Sequence, residues 1–173
     1  MKNLPQTSDH DSYSDAFLRR VLNSTRSIAV VGASPKWNRP SYFVMKYLLE
    51  KGYQMIPVNP GAAGGEILGQ KVYASLHDIP HSFDMVDIFR NSEVAGAVTD
   101  EAIALKQERE IKTIWMQLSV RNDPAAARAE ATGLQVIMNR CPKIEFGRLN
   151  NELSWGGINS RVITARRRRV RIG

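Results

Sequence analysis

The segment Ser27–Val31 and the signals that follow it constrain the fold of this chain more than any other stretch. The segment is apolar after its first serine, which is typical of a strand at the centre of a parallel sheet. Gly32 permits a sharp turn directly after it, and Arg39-Pro40-Ser41 precedes a stretch with the apolar spacing of a helix. A strand, a tight turn and a helix N-terminus in this order predict a phosphate site, because the turn and the helix aim backbone N–H groups and a positive dipole end at one spot.

Strand and helix patterns alternate along the rest of the chain. Apolar runs predict further strands at 53–58, 84–89, 113–118 and 134–138, and helical periodicity predicts helices at 13–24, 42–51, 92–110 and 123–132. Each connection is long enough for a crossover, which predicts right-handed βαβ units. The expected fold is α/β, a doubly wound, Rossmann-like parallel sheet of five strands in the order 3-2-1-4-5, with helices on both faces. Ligands of such sheets bind beyond the carboxyl ends of the strands where the winding direction reverses, here expected between the first and fourth strands.

The size of the chain favours one globular domain with short tails. Of its 173 residues, we assign 1–12 to a flexible N-terminus, 13–149 to a Rossmann-like ligand-binding domain and 150–173 to a C-terminal extension with an arginine-rich tail. Six of the 24 basic residues are arginines of the segment 161–173, which leaves 18 basic against 17 acidic residues. The tail is therefore expected either to be solvated or to bind a polyanion such as nucleic acid.

Composition also limits where the protein works. No apolar run approaches the roughly 18 residues that span a bilayer, and residues 1–15 are polar and acidic, unlike a signal peptide. The single cysteine, Cys141, is unable to form an internal disulfide. These features favour a cytoplasmic protein without a membrane partner. Apolar residues of the extension need cover, so we also expect a homodimer; they are Leu153, Trp155 and Ile158.

The turn after the first strand lacks the fingerprint of a dinucleotide site, which is Gly-x-Gly-x-x-Gly with an acidic residue at the end of the second strand. Gly32 is followed by neither of the other two glycines, and the second predicted strand ends at Asn59. Instead, Lys36 and Arg39 lie in the turn and Arg90 at a neighbouring strand end. Three cations favour a ligand with several phosphates, since guanidinium groups pair strongly with phosphate oxygens. Coenzyme A (CoA) fits, because it carries a ribose 3′-phosphate besides its pyrophosphate.

Seven ordered blocks of sequence occur at the spacing of a known family. They are Gly32-Ala33-Ser34, Arg39-Pro40-Ser41-Tyr42, Ile56-Pro57-Val58-Asn59-Pro60, Glu66-Ile67-Leu68-Gly69, Val86-Asp87-Ile88-Phe89-Arg90, Trp115-Met116-Gln117-Leu118 and Arg140-Cys141-Pro142-Lys143-Ile144-Glu145. Over roughly residues 17–149 the chain resembles the small, single-domain CoA-binding protein family. That family is similar to the CoA-binding domain of the succinyl-CoA synthetase alpha subunit.

The resemblance implies a CoA or acyl-CoA ligand at strand ends that the predicted topology already nominates. It implies that Gly32, Ala33, Ser34 and Arg39 hold phosphates, that Asn59 and Pro60 border the adenosine, and that Phe89, Arg90 and Gln117 line the cleft. Lys36, Pro40 and Val58, from the same turn and strand ends, complete the candidate cofactor-binding site. The chain departs from the family pattern at Ser119, Asn139 and Phe146, where Gly, Asp and His are commoner.

The sequence predicts no catalytic residue and no metal site. The histidines match no catalytic motif, and Cys141 is interpreted as a buried structural cysteine. Asp84 and Asp87, three apart on a strand, face opposite sides and therefore form no acid–base pair. Trp37, inside the turn, either covers the adenine or pantetheine of a ligand or packs on the loop.

We therefore expect a CoA or acyl-CoA binding module that acts as a sensor, carrier or accessory protein without catalysing a reaction. Two alternatives remain open at this point. One is an enzyme that uses NAD(P) or a CoA thioester in the same cleft. The other is tethering to nucleic acid through the arginines at 166–169.

Overall fold

The computed structural model describes residues 9–152, so the arginine-rich tail and the apolar residues expected at a homodimer contact lie outside the described residues. A five-stranded parallel sheet forms the centre of the molecule. Its strands are β1 (Ser27–Val31), β2 (Gln54–Val58), β3 (Met85–Ile88), β4 (Thr113–Met116) and β5 (Gln135–Ile137). Each lies within a predicted strand and is shorter than expected by at most two residues at either end.

The strand order is 2-1-3-4-5, and the predicted order 3-2-1-4-5 was wrong. β1 lies between β2 and β3, with Val30 opposite Pro57 on one side and Asp87 on the other. The winding direction therefore reverses between β1 and β3, not between the first and fourth strands. The error arose because strands that are apolar throughout show only that they are buried, and not which strands are their neighbours. The α/β fold class is confirmed, since this order is another common doubly wound arrangement.

Helices cover both faces of the sheet, as expected. They are α1 (Asp15–Ser24), α2 (Pro40–Glu50), α3 (Ser92–Arg109), α4 (Asp123–Ala131) and α5 (Pro142–Leu149). One core packs α1, α2 and α5 against side chains that include Val30 and Trp115, and a second core packs α3 and α4 against Ala29 and Val86. Successive strand residues point to opposite faces, which explains the division. No helix in the described part of the chain has the length and apolar character needed to cross a bilayer.

Two helices begin with proline at the carboxyl edge of the sheet. α2 starts at Pro40, two residues before the predicted helix, and α5 starts at Pro142. Proline suits the first helical position because its φ is already helical and the N–H that it lacks would have no partner within the helix. The start of α2 therefore lies next to the turn that follows β1.

The connection from β2 to β3 is irregular. It contains a 3₁₀ turn (Pro60–Ala62) and a short antiparallel hairpin that pairs Glu66–Ile67 with Gln70–Lys71. The Tyr73 N–H donates to the Pro57 carbonyl oxygen at 3.0 Å, which fastens this segment to the free edge of β2. Residues 75–79 continue the connection as bends and a turn.

The first described residues pack against α4 and β5. His10 lies in the segment predicted to be flexible, yet it is buried, with Nε2 3.2 Å from Glu130 Oε1 and Nδ1 2.9 Å from the Tyr13 hydroxyl oxygen. The same hydroxyl accepts a hydrogen bond from the Met138 N–H at 2.8 Å. The two hydrogen bonds of this hydroxyl link His10 to the residue that follows β5. These contacts give His10 a structural role in the described part of the chain.

Candidate functional site

A cavity of about 450 Å³ opens at the carboxyl edge of the sheet, above the ends of β1, β2 and β3. It lies where the winding direction reverses, which is where doubly wound folds bind their ligands. Its lining residues are Gly32, Ala33, Ser34, Lys36, Arg39, Pro40, Ser41, Asn59, Phe89, Arg90 and Asn91. Nine of the twelve candidate residues are among them, so the structure brings most of the sequence-predicted site together.

Three candidate residues lie outside the lining. Val58 is buried, and its carbonyl oxygen supports the turn after β1. Pro60 is exposed at the start of the 3₁₀ turn. Gln117 is buried beyond β4, where its amide nitrogen donates to Asp87. None of the three therefore forms part of the cavity wall.

The strand order accounts for a close contact between two loops of the site. Because β3 is the neighbour of β1, the backbone of Phe89 and the side chain of Arg90 lie directly against Gly32. A Cβ atom at Gly32 would lie 2.9 Å from Arg90 Cδ and 3.1 Å from the Phe89 carbonyl oxygen. Gly32 also has a φ of 88°, in the left-handed region that favours glycine. Both backbone angle and space therefore require glycine here.

The turn does not present its first amides as free donors, which corrects one expectation from the sequence. The N–H groups of Gly32 and Ala33 both donate to the Val58 carbonyl oxygen, at 3.0 and 3.3 Å. The Ser34 N–H donates to the Ser41 hydroxyl oxygen at 3.0 Å. These bonds depend on how β1 and α2 sit relative to β2, which no local pattern reveals. The turn after β1 is thus fixed by hydrogen bonds to β2 and α2. The positive charge of the site is carried by side chains.

Three cations line the cavity without an acidic partner. Lys36 and Arg39 come from the turn and Arg90 from the end of β3, and all three are exposed. None of them forms an ion pair within residues 9–152, whereas other arginines such as Arg121 and Arg128 do. Guanidinium and ammonium groups that converge in this way suit a ligand with several negative charges.

Asn59 fixes the turn after β1 to the end of β2. Its Nδ2 donates to the Ala33 carbonyl oxygen at 2.8 Å, and its Oδ1 accepts a hydrogen bond from the Gly61 N–H at 2.9 Å. An acidic residue here, as in a dinucleotide site, has no N–H to donate to that carbonyl. The departure from the dinucleotide pattern therefore has a structural role of its own.

Asp84 and Asp87 have separate roles, as their spacing predicted. Asp84 lies before β3, accepts hydrogen bonds from the Arg26 and Ser27 N–H groups, and forms an ion pair of 2.8 Å with Lys112. Asp87 is fully buried, and both of its oxygens lie 3.1 Å from Gln117 Nε2. Burial raises the pKa of Asp87 to about 8, and the Gln117 bond opposes that rise.

The remaining side chains with reactive groups are Cys141, His77 and His81. Cys141 is buried as expected, and burial raises the pKa of its thiol, with the nearby Asp87 carboxyl adding to the effect. His77 and His81 are exposed in the connection before β3. No cluster of three or more His, Cys, Asp or Glu side chains suited to a metal ion occurs in the part of the chain that the structure describes.

Sequence reasoning missed two lining residues. Ser41 lies in the first turn of α2, and its hydroxyl both lines the cavity and accepts the Ser34 N–H. Asn91 is the N-cap of α3, where its side chain accepts the Val94 N–H at 2.9 Å. The sequence does contain a signal for both residues. A helix that begins at the carboxyl edge of the sheet brings its N-cap and its first turn to the site.

The fold and the site thus define a doubly wound domain with a cationic cavity at the point where the winding direction reverses, between β1 and β3. Residues 26–147 match the family described as CoA binding domain, and the chain belongs to this family. The uncharacterized protein YneT of Bacillus subtilis is similar to this chain, with 35% identity over 131 residues that cover 76% of the chain and 93% of YneT.

Two further similarities place the domain among known proteins. The alpha subunit of acetate–CoA ligase (ADP-forming) I of Pyrococcus furiosus is 38% identical over 85 residues, which are 47% of this chain but only 18% of that subunit. A hypothetical protein from Pyrococcus horikoshii has a similar solved structure, with a TM-score of 0.73 and 36% identity. That similarity covers 86% of this chain and 98% of the other. The relatives therefore include both whole proteins of this size and part of a larger ligase subunit.

Proposed function

We propose that this protein binds CoA or an acyl-CoA in the cavity, with the phosphates of the ligand on Lys36, Arg39 and Arg90. The observation that carries the proposal is that three cations without an ion-pair partner in residues 9–152 line one cavity, at the point where the winding of a CoA-binding domain reverses. Ser34 and Ser41 add hydroxyl groups to the same wall. CoA supplies a pyrophosphate and a 3′-phosphate, and this charge matches the cations better than a single phosphate does.

The proposed role is that of a sensor, carrier or accessory protein which does not transform its ligand. Two features of the described residues support it. The thiol of Cys141 is buried with a raised pKa, which disfavours the nucleophilic thiolate. The carboxyl of Asp87 accepts a hydrogen bond from Gln117. The carboxylate of Asp84 accepts hydrogen bonds from backbone N–H groups and forms an ion pair with Lys112. We further propose that it works in the cytoplasm as a homodimer, with residues 13–149 as the binding domain.

Titration calorimetry of the full chain with CoA, dephospho-CoA, NAD and NADP in one buffer tests the ligand. The proposal expects CoA to bind more tightly than dephospho-CoA, because only CoA carries the 3′-phosphate. A preference for NADP would favour the dinucleotide alternative, in which the same cations hold a 2′-phosphate. Absence of CoA binding would show that the chain has the family fold without its ligand. Recovery of unchanged acetyl-CoA after incubation with the protein tests the non-catalytic role.

Arg39→Ala is expected to weaken CoA binding by about 1–3 kcal/mol, the size of a lost hydrogen bond between charged groups. Arg39 is exposed and forms no ion pair within the described residues, so the substitution should leave the free energy of unfolding nearly unchanged. Calorimetry with CoA measures the effect.

Lys46→Ala is the matched control for this prediction. Lys46 is exposed on the same helix and does not line the cavity, so its loss removes one positive charge without removing a proposed contact. Equal affinities for the Arg39 variant and the wild type would reject the phosphate role of Arg39. Equal weakening in both variants would point to net charge as the cause.

A further inference from the structure

Trp37 is the most exposed large apolar side chain among the described residues, with 72% of its surface accessible to solvent. No aromatic stacking or cation–π contact of its ring occurs within residues 9–152. Most of the Trp37 side chain therefore does not pack on its own loop. A large aromatic ring with most of its surface exposed is available for contact with a ligand.

The backbone places Trp37 at the rim of the cavity. The Arg39 N–H donates to the Lys36 carbonyl oxygen at 3.0 Å, which closes a tight turn with Trp37 and Asn38 at its tip. Lys36 and Arg39, on either side of this tip, both line the cavity. The indole is thus carried by the short segment whose two ends supply cations for phosphate.

We propose that Trp37 stacks on the purine base of the bound ligand and thereby selects nucleotides over other phosphate esters. The inference rests on the proposed function, because it takes the phosphates to lie on Lys36 and Arg39. Stacking on a base removes a large apolar area of both rings from water and suits any purine, since it uses the ring face and not a hydrogen-bond pattern.

The chemistry of the two ends of CoA favours the base over the pantetheine. A purine is joined through one sugar to the phosphates, so cations and an aromatic ring on one short turn suit a nucleotide. The pantetheine arm is flexible and has no π face to match the indole. Phe89 is the single aromatic residue of the lining, and it packs partly against the core that contains α2, whereas 72% of the Trp37 surface is exposed.

The test compares Trp37→Ala with the wild type by calorimetry on the full chain. Three probes are used: CoA, adenosine 3′,5′-bisphosphate, which has the base without pantetheine, and 4′-phosphopantetheine, which has pantetheine without the base. The inference expects Trp37→Ala to lose roughly 5- to 100-fold in affinity for the first two, the range seen when a stacking aromatic is replaced by alanine. Binding of 4′-phosphopantetheine should stay within about twofold. Trp37→Phe, which keeps an aromatic face, should recover most of the affinity for CoA.

Phe43→Ala is the matched control, since Phe43 is an exposed aromatic of α2 that, unlike Trp37, is not adjacent in the chain to a residue of the cavity lining. It is expected to leave the affinity for CoA unchanged. Equal affinities of wild type and Trp37→Ala for CoA would overturn the stacking role while leaving the proposed function intact. Equal losses for CoA and 4′-phosphopantetheine would also overturn it, because the indole would then cover the other arm. Failure of the wild type to bind CoA would instead reject the proposed function itself.

Discussion

Gly32→Ala is expected to lower the free energy of unfolding by about 2–5 kcal/mol. Two effects add at this position. Alanine in the left-handed region costs about 1–2 kcal/mol, and Gly32 has a φ of 88°. The added methyl group would also lie 2.9 Å from Arg90 Cδ and 3.1 Å from the Phe89 carbonyl oxygen, and such overpacking costs about 1–3 kcal/mol. Urea unfolding of the variant and the wild type measures the difference.

Gly64→Ala separates these two effects. Gly64 has nearly the same φ, 86°, but a Cβ atom there would meet nothing within 4 Å. It is therefore expected to show the backbone cost alone, about 1–2 kcal/mol. If the two variants were equally destabilised, the close contact between the β1 turn and the end of β3 would contribute nothing to the cost of Gly32→Ala. The Gly32 variant should also lose CoA affinity, because displacement of Arg90 disturbs one of the three cavity cations.

Asp87→Asn is expected to stabilise the protein at neutral pH, by an amount of several kcal/mol at most. Burial raises the pKa of Asp87 to about 8, well above the value of 3.8 for an unperturbed aspartate side chain. Between these values the folded state holds a proton that the unfolded chain releases, so ionisation of the unfolded state opposes folding. The neutral amide removes this penalty and has nearly the same shape.

The sign of the pH dependence follows from the same shift. A raised pKa gives a contribution to stability that is complete below about pH 4 and is lost as pH rises to about 8. The advantage of Asp87→Asn over the wild type should therefore grow from pH 4 to pH 8 and then level off. Urea unfolding across this range measures it.

Asp78→Asn makes the same chemical change on an exposed turn and is the matched control for the buried site. Its free energy of unfolding is expected to stay within about 0.5 kcal/mol of the wild type. A stability difference between Asp87→Asn and the wild type that did not change with pH would contradict a buried, protonated carboxyl.

The elements around the site were predictable from the sequence because their signals are local. Gly32 and Asn59 come directly after β1 and β2, and the two cations of the turn lie between β1 and α2. Arg90 lies just after β3. The order of the strands was not predictable, because it depends on which apolar faces meet in the folded chain. The partners of the turn amides have the same origin, since the Val58 carbonyl reaches Gly32 only through the pairing of β1 with β2.

Residues that depart from a family pattern require structure for their interpretation. Ser119, where glycine is commoner, has a φ of 67°, and Asn139, where aspartate is commoner, has a φ of 54°. The Ser119 N–H donates to Asn139 Oδ1 at 2.8 Å, so the two loops are joined at this point. The sequence marked both positions as unusual, but only the structure shows that they contact each other and lie beside β4 and β5, away from the cavity lining.

If the exposed cations hold phosphate as proposed, with the first turn amides already bonded within the protein, ligand binding should depend on the salt and the other anions in the solution. Charges that lie in water are screened over about 8 Å at physiological ionic strength, whereas buried pairs are screened much less. Affinity should therefore fall steeply as salt is added, and abundant polyphosphates such as ATP should compete for the same three side chains. A protein of this kind would respond to the balance between its ligand and other cellular anions, and not to the ligand concentration alone.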